Sequence, residues 1–245
     1  MRRLSVMICS GLIIVSSNAV VQATLFFDFE PATYSLGTLA GQDGWSGGGS
    51  NAVVENTVVL SGSQSVQLTS NAAATHSTTG AGFADLSTVS LLARYSNNSS
   101  SYAEFTLAGA VPYVTIGLER NAVSDFYWYD GGTIEFLAGG SGATTYLVTI
   151  SLDFPNQQFS VVFDDGINPA FSSGIQSFRN PTTVAQAESG FLRLSGGISG
   201  RQATFDNISV SPIPEPNTIT MMITSFIGMF AVRRRRVKIV SIENP

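Results

Sequence analysis

Between Tyr146 and Phe154 every second residue is large and apolar: Tyr146, Val148, Ile150, Leu152 and Phe154. Thr145, Thr149, Ser151 and Asp153 stand between them, with Leu147 as the exception. Neighbouring side chains of a β-strand point to opposite faces, so this spacing fits a strand that buries one face and wets the other. A helix would need its apolar residues three and four apart. Pro155-Asn156 stops the run. Phe159, Val161 and Phe163 then resume the alternation until Asp165-Gly166, and the two runs read as a hairpin. Residues 125–129 and 133–137 form a second predicted hairpin about the turn Asp130-Gly131-Gly132.

Further strands are predicted over 25–30, 53–60, 65–69, 88–95, 102–107, 111–120, 190–194 and 203–210. Residues 41–50 and 71–80 are rich in small residues and read as loops. No window carries a sustained helical stripe, and alternating strand–helix units are absent. The pattern therefore predicts an all-β domain over residues 24–211, an antiparallel two-sheet β-sandwich.

Both ends of the chain differ from this middle. Met1-Arg2-Arg3, an apolar run from Leu4 to Val15 and the small-residue site Val21-Gln22-Ala23 make a secretory signal helix, with cleavage expected after Ala23. The single cysteine, Cys9, lies inside it, so the mature chain has neither disulfide nor thiol nucleophile. At the other end, residues 212–217 form a proline-rich linker holding Pro214, Glu215 and Pro216. An apolar stretch over 218–232 follows, and then Arg233, Arg234, Arg235 and Arg236 open a basic tail, 233–245. As a helix the apolar stretch is short: about 22 Å against a bilayer core of about 30 Å. The arginines hold its far end on the cytoplasmic side. The expected organisation is signal helix 1–23, sandwich 24–211, linker 212–217, membrane helix 218–232 and tail 233–245.

Without its ends the chain is strongly acidic. Residues 24–211 carry five arginines, no lysine and fifteen carboxylates, a net charge of −10 against −5 for the whole chain. Such a domain repels nucleic acid and anionic membrane surfaces and suits a solvated extracellular setting.

The tail, from Ile213 to Arg236, resembles the PEP-CTERM sorting signal of Gram-negative bacteria: Pro214-Glu215-Pro216, a membrane helix and an arginine cluster, in that order. The resemblance implies recognition by an exosortase, a membrane processing enzyme, after signal peptidase has removed the leader. It implies delivery to the cell surface or extracellular matrix by way of an inner-membrane anchor. Here Val237 to Pro245 extend beyond the arginines, where the family usually stops. The middle of the chain resembles the concanavalin-A-like and laminin-G-like jelly rolls. The hairpin from Tyr146 to Asp165, the closing run from Phe205 to Val210 and the opening Phe27-Asp28-Phe29-Glu30 carry that likeness.

Most catalytic constellations are missing. Glycoside hydrolysis needs two acids about 5–10 Å apart across a cleft, and no Glu-x-Asp-x-x-Glu string occurs. His76 is the only histidine, which excludes a zinc site built on imidazole and thiolate, and it reads as a surface loop residue. No Gly-x-Ser-x-Gly elbow is present, and Gly47-Gly48-Gly49 lacks the lysine of a phosphate loop. No catalytic residue is assigned.

Two sites remain. Calcium takes oxygen ligands, and adjacent first and last strands would bring Asp28 and Glu30 near Asp206. Asp206 lies in phase with Ile208 and Val210, which points it inward, where it either meets a cation or accepts backbone N–H bonds in a turn. Jelly rolls with a structural calcium in comparable places imply this set by resemblance. The aromatic run Phe126-Tyr127-Trp128-Tyr129 is the other. Phe126 and Trp128 face one way and Tyr127 and Tyr129 the other; core filling on both faces is the more common outcome, and the functional alternative is a platform on which sugar rings stack, with Trp128, Tyr127 and Tyr129 as candidates. Trp45, in its Gly-rich loop, is a further one. The expected function is that of an exported, surface-sorted, non-enzymatic sandwich that binds polysaccharide. The alternative is a carbohydrate-active enzyme, glycosidase or lyase, with a diverged site.

Overall fold

The computed structural model describes residues 25–96, 102–119, 125–197 and 202–213. The signal segment, the Pro-Glu-Pro motif, the apolar stretch and the arginine cluster lie outside the described residues. Among the described residues, no helix is long and apolar enough to cross a membrane.

The chain opens with β1 (Leu25–Phe27), β2 (Gly37–Thr38), β3 (Ser46–Gly47), β4 (Ala52–Glu55), β5 (Ser65–Thr69), β6 (Ala72–Ser77) and β7 (Leu86–Tyr95). It continues through β8 (Tyr102–Ala108), β9 (Pro112–Glu119), β10 (Asp125–Asp130), β11 (Thr133–Ala138), β12 (Tyr146–Asp153) and β13 (Gln158–Asp164). β14 (Phe171–Ser172), β15 (Gln176–Ser177), helix α1 (Val184–Glu188), β16 (Phe191–Gly196) and β17 (Gln202–Pro212) complete it. Ten strands form one sheet, in the order β14-β13-β12-β7-β17-β5-β4-β2, with β1 added along β17 and β15 along β13. The other sheet has seven, in the order β11-β10-β9-β8-β16-β6-β3. Every pairing between the described strands is antiparallel. The fold is the two-sheet sandwich that the alternation predicts.

The long hairpin shows why. Val148 pairs with Phe163, Ile150 with Val161 and Leu152 with Phe159, all six side chains buried, while Leu147 points to solvent. One residue of slip would turn every one of them outward, so the apolar period fixes the register. The second hairpin closes as Asp130 opposite Thr133 around Gly131 and Gly132. Both glycines have positive φ, 53° and 99°, which the tight two-residue turn requires. Phe126 then joins the two sheets. Its ring stacks on Phe163 at 4.4 Å and meets Tyr146 edge-on at 5.2 Å, and both partners come from the opposite sheet.

The first and last strands do lie side by side, with Leu25 opposite Val210 and Phe27 opposite Ile208. Three expectations need correction. Residues 72–77 are not loop but strand β6, between β16 and β3. Its sequence is almost all alanine and small polar residues, yet alternate alanines are buried beneath the opposite sheet. His76 on that strand is not a free surface residue. It packs at 4.5 Å from Phe27 and 5.4 Å from Trp45, and its two ring nitrogens lie 2.6 and 2.8 Å from the carbonyl oxygens of Ser77 and Asp43. The third concerns Asp206. β17 slips register against β7 between Asp206 and Ser209, where Asn207 has φ 47°. A bulge adds one residue and inverts the phase. Asp206 therefore shares the face of its partner Leu92, opposite to that of Phe205, and not that of Ile208 and Val210.

Candidate binding groove

Strand β10 divides its four aromatics as alternation requires. Phe126 and Trp128 face the opposite sheet and are buried, Trp128 to 6% exposure. Trp128 is thus a core residue, which removes it as a stacking platform. Its indole Nε1 has no hydrogen-bond partner among the described residues. Trp45 is also core, at 2% exposure. Its glycine-rich loop folds back over Phe27, at 5.1 Å, and its Nε1 donates to Tyr34 Oη at 3.3 Å. Tyr127 and Tyr129 point the other way, onto the outer face of the seven-stranded sheet.

That face has a groove of about 440 Å³, lined among others by Tyr102, Glu104, Tyr127, Tyr129, Arg193 and Ser195. Strand register assembles it. Phe136, Tyr127, Gly117, Glu104, Ser195 and Ala73 form one row across six strands. One row further on, Ile134 is opposite Tyr129, and Thr106 lies between Thr115 and Arg193. Because β8 pairs with β16, Glu104 and Arg193 become neighbours although far apart in sequence.

The groove's polar floor is tied together. Tyr127 lies across Gly117, where an added Cβ would fall 2.3 Å from the ring. Its phenol donates to Glu104 Oε2 at 2.9 Å. Arg193 Nη2 donates to Glu104 Oε1 at 3.2 Å, an ion pair with the arginine head partly open to solvent. Ser195 Oγ and Arg193 Nε, both on β16, have no hydrogen-bond partner among the described residues. Tyr127 itself is buried to 5% exposure, so it positions Glu104 more than it offers a surface. The apolar surface comes from half-buried Tyr129, with the Arg179 guanidinium 4.1 Å over its ring, and from Ile134 and Phe136 on the edge strand β11. Sequence reading missed Phe136, Glu104 and Arg193. Each sits at an outward position of an alternating strand, and Phe136 pairs directly with Tyr127.

The acids at the seam of β1 and β17 are occupied by the chain itself. Glu30 accepts hydrogen bonds from Ser63 N, Ser63 Oγ and Gln64 N, and the Ser63 bonds hold its carboxyl below the usual range. Asp28 Oδ1 accepts from Glu30 N at 3.2 Å. Asp206 is fully buried and accepts from Ser61 N and Asn207 N at 2.9 and 2.8 Å. Burial pushes its carboxyl up to about 7, with the charges of Glu30 and Asp28 adding to the effect and the two backbone bonds opposing it. Among the described residues, no group of three or more His, Cys, Asp or Glu side chains is placed to hold a metal ion.

No family model and no curated protein matches the sequence. Among solved structures the chain is similar to a sialidase, with TM-score 0.54 and 15% identity, over 85% of this chain and 21% of that one. It is similar to a mutant of the GH43 protein BlXynB from Bacillus licheniformis, with TM-score 0.52 and 11% identity, over 77% and 39%. Lectin UEA-II in complex with galactose follows at TM-score 0.49 and 8% identity, over 77% and 98%. The chain thus spans about a fifth of the sialidase and two fifths of the GH43 protein. At these identities the likeness is one of fold: the chain is an antiparallel two-sheet sandwich.

Proposed function

We propose that this is an exported, surface-sorted, non-enzymatic sandwich of the bacterial envelope or matrix, which binds polysaccharide in the outer groove of its seven-stranded sheet. The groove carries this reading. A sugar ring has apolar faces and a polar rim, and it is held where an aromatic or apolar wall adjoins a few fixed polar groups. Tyr129 and Ile134 supply the wall, with exposed Phe136 beside them on β11; Glu104, Arg193 and Ser195 supply the polar floor. The names sialidase and GH43 protein belong to chains that share the sandwich, and one sandwich serves many functions, so the groove and not the fold bears the weight.

The geometry favours binding over hydrolysis. A glycosidase sets a second acid about 5–10 Å across from the first. Glu104, the acid among the described lining residues, has its two oxygens engaged by Arg193 and Tyr127. The tail supplies the address: Pro214-Glu215-Pro216, the apolar stretch and the arginine cluster suit exosortase processing at the inner membrane. Affinity electrophoresis through gels loaded with different polysaccharides tests the binding. We expect retardation by at least one polymer, lost in Tyr129→Ala; equal mobility in every gel rejects the proposal.

A further inference from the structure

The groove has an unmet need for acceptors, and its charge is unlike that of the domain around it. Arginine donates hydrogen bonds and accepts none. Arg193 Nε is buried with no acceptor, and Ser195 Oγ, two residues on along the same face of β16, is buried and unpartnered too. A buried donor without an acceptor is costly, and a ligand oxygen relieves it. The groove's own carboxylate does not fill this role. Glu104 already accepts from Arg193 Nη2 and from Tyr127 Oη, so its charge is matched. A second guanidinium stands at the rim. Arg179 lies 4.1 Å over the Tyr129 ring and has no acidic partner among the described residues. Arg94, by contrast, lines a separate hollow with residues of the ten-stranded sheet.

Resting on the saccharide reading above, we propose that the groove selects acidic sugars, seating the carboxylate of a hexuronate residue on Arg193 and Ser195 with Arg179 alongside. Guanidinium and carboxylate make the stronger, charge-assisted kind of hydrogen bond, and the arginine fork matches the carboxylate's two oxygens. A neutral sugar offers only hydroxyls to the same donors. The acidity of the remaining surface sharpens the selection. Residues 24–211 carry a net charge of −10, which disfavours general charge attraction of a polyanion to the sandwich, and loss of the preference in Arg193→Gln separates the groove from the basic tail.

The test is isothermal titration of the full 245-residue chain, in mild detergent, with oligomers of galacturonate, glucuronate, mannuronate and guluronate. Each is paired with its carboxyl-reduced form, which keeps the backbone and removes the charge. We expect at least one acid to bind roughly tenfold or more tightly than its reduced partner, the ratio one charge-assisted hydrogen bond sustains. Arg193→Gln should abolish that ratio. Arg179→Gln, which gives up the contact with the Tyr129 ring, should reduce it while lowering the melting temperature by no more than a few degrees. Equal binding of acid and reduced forms overturns the selectivity and leaves the saccharide groove standing, as does binding of reduced forms alone. No binding of any oligomer, together with no retardation by any polysaccharide, overturns both.

Discussion

Tyr127 lies over Gly117 and donates its phenol hydrogen to Glu104 Oε2 at 2.9 Å, so one aromatic ring fixes the carboxylate at the centre of the groove. The contact needs a residue without a side chain beneath the ring. Gly117→Ala places a methyl group 2.3 Å from the ring carbons, and the ring must move. Overpacking of this kind costs about 1–3 kcal/mol. The variant should melt somewhat earlier and lose polysaccharide retardation, as read by thermal denaturation and affinity electrophoresis on one preparation.

The two faces of β10 should separate stability from binding. Trp128→Ala empties a core position and should cost about 3–5 kcal/mol in denaturant unfolding. Tyr129→Ala removes an outward ring and its contact with Arg179, worth about 0.5–1 kcal/mol at an exposed site. A mild change at Trp128 joined to lost binding would return the platform to that residue.

Asp206 predicts a pH profile. Its carboxyl titrates at about 7 in the folded chain and near the ordinary carboxylate value, about 3.9, when unfolded. Between those values the folded state holds a proton that the unfolded state has released, so stability falls as pH rises through that window. Its contribution is greatest below the unfolded value and is lost above about 7. Asp206→Asn should flatten this part of a melting-temperature profile. The same melts test the calcium reading of Asp28, Glu30 and Asp206. A cation seated there favours the carboxylate form and removes the alkaline loss, so a profile unchanged by calcium rejects it.

The sorting proposal is tested in the native host. Glu215→Ala, or replacement of Arg233, Arg234, Arg235 and Arg236 by serine, should leave unprocessed or mislocalised protein. Surface delivery and mature mass unchanged in both variants would remove the tail from the account.

How much was legible in the sequence depended on how local the determinant was. The hairpin of β12 and β13 and the split of Phe126 and Trp128 from Tyr127 and Tyr129 follow from a period of two, which any strand imposes. β6 was hidden because Ala72, Ala73 and Ala74 carry no β-forming signature; neighbours on both sides make them a strand. Trp45 could not be placed, since its burial depends on Phe27, Tyr34 and His76 converging from three other segments. Asp206 is buried as expected, but a single bulged residue, Asn207, takes it out of phase with Ile208 and Val210. The groove was the least legible feature. Glu104 and Arg193 are unremarkable polar positions on separate strands until β8 and β16 pair, and sheet order is set by packing across the whole domain.

A crystal structure with an oligosaccharide cut from a polymer that retards the protein locates the bound sugar. Ordered sugar is expected on the outer face of the seven-stranded sheet, against Tyr129 and Ile134 and within hydrogen-bonding distance of Arg193. Ordered sugar at another surface, with this groove empty, contradicts binding in the groove.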